Sequence, residues 1–147
     1  MKAINFISTS EAETVRFGEK LVDGLKPGDI ICLHGELGAG KTTLVKGIAR
    51  GLKINKDKVH SPTFVLMSVY EGKLPLYHFD LYRLEDPEEV RSIEYDEFLY
   101  GEGISVIEWA ERLGPLMPRE YIKVELRHRK DGGRAIGLSL VGKRPQP

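Results

Sequence analysis

Between positions 35 and 43 the chain reads GELGAGKTT. Gly35, four intervening residues and then Gly40, Lys41 and Thr42 make the G-x-x-x-x-G-K-[ST] spacing of a phosphate-binding loop. Such a loop works only between a buried strand and the start of a helix, so it dictates the local order of elements. Both neighbours fit. Asp29 to His34 is a short, mostly apolar run of strand character. Beyond the loop, Leu44, Val45, Ile48 and Leu52 fall on one face of a helix.

Each residue type in the loop has a physical reason. Gly35, Gly38 and Gly40 allow positive φ and let the backbone approach an oxyanion with no Cβ in the way. With Ala39 and Thr43 between and beyond them, their N–H groups can cradle phosphates at a helix N-terminus. Lys41 brings a mobile ammonium to the β and γ phosphates, and the Thr42 hydroxyl suits Mg²⁺. A dinucleotide-binding G-x-G-x-x-G starting at Gly38 is disfavoured, because Thr43 stands where its last glycine belongs.

Composition narrows the partners. The chain has 147 residues, a length suited to one domain over 1–142 with a frayed tail at 143–147. Lysine plus arginine (22) balances aspartate plus glutamate (22), so no broad electrostatic footprint for nucleic acid or anionic membrane is expected. No apolar run approaches the roughly 20 residues of a membrane span. Met1 to Ser10 lacks a basic region followed by a long apolar core, so no signal peptide is expected. The single cysteine, Cys32, cannot form an internal disulfide and reads as a small buried hydrophobe. A reduced, cytoplasmic protein is the expectation.

Along the chain, Ala3 to Ile7 alternate as a strand, and Ser10 with Glu13 makes a capping box for a helix that Pro27-Gly28 stops. Asn55 to Lys58 resembles the guanine-reading N-K-x-D pattern but carries its aspartate one position early, so it reads as a solvated loop. Phe64 to Tyr70 and Leu74 to Phe79 flank Glu71-Gly72-Lys73 as a hairpin. Asp86-Pro87-Glu88-Glu89 is a helix start, with an N-cap aspartate and a proline at the first helical position. Gly103 to Ile107 is a further strand. Ala110 to Leu113 is a helical turn broken by Gly114-Pro115. Tyr121 to Leu126 and Arg134 to Val141 form a second hairpin around Lys130 to Gly133. The fold class is α/β: a P-loop-type mixed sheet, its parallel core extended by antiparallel hairpins and flanked by helices.

Hydrolysis needs more than a phosphate loop, and acids at the ends of neighbouring strands are the candidates. Glu108 closes the run Ile104 to Ile107 and is assigned to Mg²⁺, directly or through water. Asp80 closes Leu76 to Phe79, either orienting the attacking water or supporting the metal from one layer out. Thr63, in Ser61-Pro62-Thr63, can reach the metal when a γ phosphate is present, or can simply begin a strand; locally both stand. The four histidines show no metal-ligand spacing and read as structural. Trp109 reads as core or wall packing.

GELGAGKTT, then SPTF, then HFDLYRLEDPEE, then IEWAERL together resemble the TsaE (YjeE) family of P-loop ATPases of tRNA threonylcarbamoyladenosine biosynthesis. The resemblance runs from Ser10 to about Leu113, and HFDLYR and IEW are its specific parts. It implies a small ATPase that works with TsaB and TsaD, and with TsaC or TsaC2. That pathway installs threonylcarbamoyl on adenosine 37 of tRNAs reading codons that begin with A; tRNA is reached through the partners. It further implies phosphate contacts from Gly38 to Thr43, Mg²⁺ at Thr42 and Glu108, and hydrolysis at Asp80. Ser61 to Thr63 would be a switch-like loop, with adenine contacts near Ser10. Lys41 completes the implied catalytic set with Asp80 and Glu108.

Two other readings compete. A small-molecule kinase would use the same loop, but no arginine-rich lid segment is visible. A nucleotide-switched binding module with slow hydrolysis overlaps the first reading, since no arginine finger can be placed from sequence.

Overall fold

A computed structural model describes residues 3–36, 39–60 and 66–142. Leu37 and Gly38, the segment 61–65 that holds Ser61 and Thr63, and the tail 143–147 lie outside the described residues. The expectations attached to them are not addressed by the structure.

The strand before the phosphate loop, β2 (Ile30–Gly35), sits at the centre of a seven-stranded sheet. The other strands are β1 (Ile4–Ser8), β3 (Met67–Tyr70), β4 (Leu76–Asp80), β5 (Ile104–Glu108), β6 (Tyr121–His128) and β7 (Arg134–Val141). Their order is β1-β7-β6-β2-β5-β4-β3. β2 pairs in parallel with β5 and β6, and β5 with β4, while β3 and β7 join antiparallel as hairpin partners. β1 in turn lies antiparallel to β7. Five strands therefore point one way, and their carboxyl ends converge on one edge of the molecule. This is the mixed sheet that the alternating strand and helix signals imply.

Helices cover both faces, which is why β2 is apolar without alternation. Ile31 and Leu33 face α1 (Glu11–Leu21) and α2 (Lys41–Gly51), packing with Leu44, Val45 and Ile48. Ile30 and Cys32 face the other layer, with Phe79, Leu99 and Leu113. That layer contains α3 (Tyr95–Leu99) and 3₁₀ turns at 87–93 and 110–116. Because side chains alternate along a strand, Asp80 and Glu108 belong with Leu76, Ile104 and Val106 on the α1–α2 face.

α1 and α2 pack backbone to backbone. A Cβ on Gly18 would lie 2.6 Å from the Leu44 carbonyl oxygen, and one on Gly47 would strike the carbonyl of Val15. This close seating holds the start of α1 beside the start of α2. Ser10 caps α1 as expected, its Oγ accepting the Glu13 N–H at 3.1 Å. The reciprocal half of the expected capping box moves one residue: the Glu13 carboxylate takes the Thr9 N–H and hydroxyl instead of the Ser10 N–H.

Candidate nucleotide site

α2 begins without a cap. Gly40, at its N-cap, has φ +100, and no side chain closes the first turn. A Cβ there would meet nothing nearer than 3.6 Å, so glycine is required by conformation and not by space. Gly35 differs: a Cβ on it would come within 2.7 Å of the Leu126 carbonyl oxygen, so its role is close passage beside β6. The N–H groups of the first turn of α2 thus open onto the edge where the parallel strands end, a place suited to an anion.

A cavity of about 590 Å³ lies there. Its lining gathers Gly40, Lys41, Thr42 and Thr43 from the loop and α2, Ser10 from the start of α1, and Asp80 and Glu108 from the strand ends. Gly35 and Ala39 are not in the lining; Ala39 is buried in the core beneath it. Strand register explains how the two acids meet, since Asp80 stands opposite Glu108, which stands opposite Leu33 at the end of β2.

The charges are buried. Lys41, Asp80 and Glu108 are only 6%, 4% and 4% exposed. Fully burying a charge is costly without partners, and each has some. Asp80 Oδ1 accepts the Tyr82 N–H at 2.9 Å, an Asx-type turn that fixes the chain as it leaves β4. Glu108 Oε2 lies 2.6 Å from Nε2 of fully buried His78. Lys41 Nζ sits 4.5 Å from the centre of the Trp109 ring, a cation–π contact. Trp109 itself has φ +60, an uncommon conformation for a bulky residue, and stacks at a tilt on Tyr82 with centroids 5.1 Å apart. Strained residues of this kind cluster at functional sites.

Several lining groups were not singled out from the sequence. Glu11 and Thr14 come from α1, Tyr82 follows Asp80, and Gly132, Gly133 and Arg134 come from the β6–β7 tip. Arg134 donates to the Gly132 and Gly133 carbonyls at 3.1 Å each and approaches Gly40. Hydrogen bonds from Arg129, then from the Gly133 N–H, hold the Asp131 carboxyl below the usual range and brace this tip. Cys32, one turn of β2 below the loop, is chemically quiet. Burial, aided by Glu111, pushes its thiol up to about 12.

The donor set fits a hard cation. A threonine hydroxyl and two carboxylates line one cavity, and Mg²⁺ in phosphate sites takes one or two protein oxygens, the rest coming from phosphate and water. Among the described residues no cluster of three or more His, Cys, Asp or Glu could hold a metal by itself. No helix of the described residues is long and apolar enough to cross a membrane.

Comparison with known proteins places the whole chain among relatives of one family. The family model described as "Threonylcarbamoyl adenosine biosynthesis protein TsaE" matches residues 8–136. The tRNA threonylcarbamoyladenosine biosynthesis protein TsaE of Bacillus subtilis is 39% identical over 98% of this chain and 90% of its own length. That of Treponema pallidum is 43% identical over 90% of this chain and 98% of its own. Among solved structures, the crystal structure of Bacillus subtilis YdiB superposes with a TM-score of 0.80 at 33% identity, covering 96% of this chain and 87% of that one.

Proposed function

The chain belongs to the TsaE family of tRNA threonylcarbamoyladenosine biosynthesis proteins, and from that premise we propose that it is a Mg²⁺-dependent ATP hydrolase serving this modification. One observation carries the reading: a buried lysine and two buried, registered carboxylates share a cavity with an uncapped helix N-terminus. A triphosphate is the ligand that such a site suits.

The residues divide the work. The first-turn amides of α2 bind phosphate oxygens, and Lys41 leaves Trp109 for the β and γ phosphates. Thr42 and Glu108 would hold Mg²⁺, which when bound offsets charge on the phosphate oxygens. Asp80, held by the Tyr82 N–H at the end of β4, orients the attacking water. Ser10 and the Gly132–Arg134 tip, which line the same cavity, receive the nucleoside side. Gly38 at the phosphates and Ser61 and Thr63 as a switch-like loop belong to the same proposal.

TsaB and TsaD are the proposed partners, the chain binding their heterodimer and supporting repeated threonylcarbamoyl transfer to adenosine 37, with tRNA met only through them. Labelled ATP tests this. Phosphate release that depends on Mg²⁺ and rises when TsaB–TsaD is added is the expected result. Transfer of the γ phosphate to a metabolite would instead identify a kinase. Nucleotide-dependent complex formation that still supports modification in turnover-dead variants would identify a switched binding module.

A further inference from the structure

His78 is 0% exposed, yet among the described residues its ring makes a single polar contact: Nε2 to Glu108 Oε2 at 2.6 Å. Its other nitrogen, Nδ1, is buried with no hydrogen-bond partner among the described residues. With Glu108 as a carboxylate, which only accepts, the hydrogen of this bond is on Nε2. A half-satisfied imidazole is a poor way to fill a core. His78 shares its face of β4 with Leu76, and its register partner on β5 is Val106, so an apolar side chain would pack there without an orphaned nitrogen. What histidine gains over leucine at this position is the hold on Glu108.

That hold has a consequence. Glu108 has Asp80 directly opposite, and two like charges so placed repel. A donor on Oε2 fixes the plane of the Glu108 carboxylate and leaves Oε1 without a hydrogen-bond partner among the described residues. We propose that His78 is a positioning residue, its Nε2–H clamping Glu108 Oε2 so that Oε1 is presented to the divalent cation. The proposal rests on the reading of Glu108 as a metal ligand.

The test uses the full chain with ADP and Mn²⁺ as a paramagnetic probe, metal affinity being read by electron paramagnetic resonance. His78→Leu should weaken Mn²⁺ binding roughly 10–100-fold, the usual effect of losing a group that orients a ligand. ADP affinity in EDTA should stay within about twofold, which a merely structural role would not achieve. Glutamine places an amide nitrogen near the Nε2 position and asparagine does not, so His78→Gln should restore most of the affinity and His78→Asn should not. Should the leucine variant fail to fold, the glutamine and asparagine pair decides alone: equal Mn²⁺ affinity in both overturns the proposal. Glu108→Gln separates the two levels. Weakened Mn²⁺ binding there with unchanged binding in His78→Leu sinks the positioning role alone; unchanged binding in Glu108→Gln sinks the metal-ligand reading and this proposal with it.

Discussion

Among the described residues, a cavity of about 590 Å³ at the carboxyl ends of the parallel strands is matched by one of about 580 Å³ at their amino ends. They differ in where the charge is. The first contains Lys41, Asp80 and Glu108, all buried. The second is lined by Lys26, Arg119 and Glu120, which are exposed, by half-buried Asp29, and by Tyr100 at 66% exposure. Asp29 there accepts the Lys26 N–H and closes a turn. Exposed charges cost nothing to keep in water, whereas buried ones persist only where the fold supplies partners. Volume is common to both ends; desolvated charge beside an uncapped helix is what makes one of them the candidate site.

The largest effect should come from the ammonium. Lys41→Ala is expected to weaken ATP binding about 100-fold, ~3 kcal/mol, as suits loss of a charge-assisted contact. Lys26→Ala and Arg119→Ala should change it less than about twofold, all by calorimetric titration. A comparable loss at Arg119 would break the contrast between the two ends.

Removing one carboxylate's charge sharpens it. Asp80→Asn and Glu108→Gln should each lower phosphate release roughly 10–100-fold. ATP affinity in EDTA should hardly change in either, because neither acid is assigned to the phosphates. Loss of the Mg²⁺ dependence in Glu108→Gln, with retained Mg²⁺ dependence and lost turnover in Asp80→Asn, would separate metal ligand from water positioner.

Glycines at the two ends give a matched pair. Gly40 has φ +100 and Gly28 φ +90, and each has room for a methyl group. Alanine at either should cost about 1–2 kcal/mol in denaturant unfolding, from backbone strain alone. Only Gly40→Ala should also weaken ATP binding.

Cys32 lies between the ends, on the central strand. Its thiol has a folded value of about 12 against an ordinary 9.0. Because the raised group is neutral when protonated, its stabilising contribution is full below pH 9 and is lost as the pH climbs from there to about 12. At pH 8 iodoacetamide should leave the folded chain unmodified and label it once denatured, read by mass spectrometry.

What could be read from sequence was what is local. The strand before the phosphate loop and the helix after it, the Ser10 cap, the Asp86-Pro87 helix start and both hairpins are set by residues within a few positions of one another, and the described residues have them all. Even there, local signals overreach. The segment after Asp86 forms a 3₁₀ turn to Ile93, and Glu94, at φ +54, separates it from the short α3. The site residues that escaped notice depend on strand order. The Gly132–Arg134 tip reaches the cavity because β6 lies parallel to β2, with Gly35 opposite Leu126, and no residue near the tip announces that pairing. His78 reads as an ordinary core histidine until the register sets it diagonally below Glu108. Tyr82 and Trp109 meet only because β4 and β5 end level with each other.

Amide chemical-shift mapping with Mg²⁺ and ATP puts the central contrast to the most direct trial. The account predicts shifts concentrated at Gly40, Lys41, Thr42 and Gly133, with Gly28, Ile30 and Tyr121 unmoved. Shifts gathered at Gly28, Ile30 and Tyr121, or none anywhere at millimolar ATP, would contradict it.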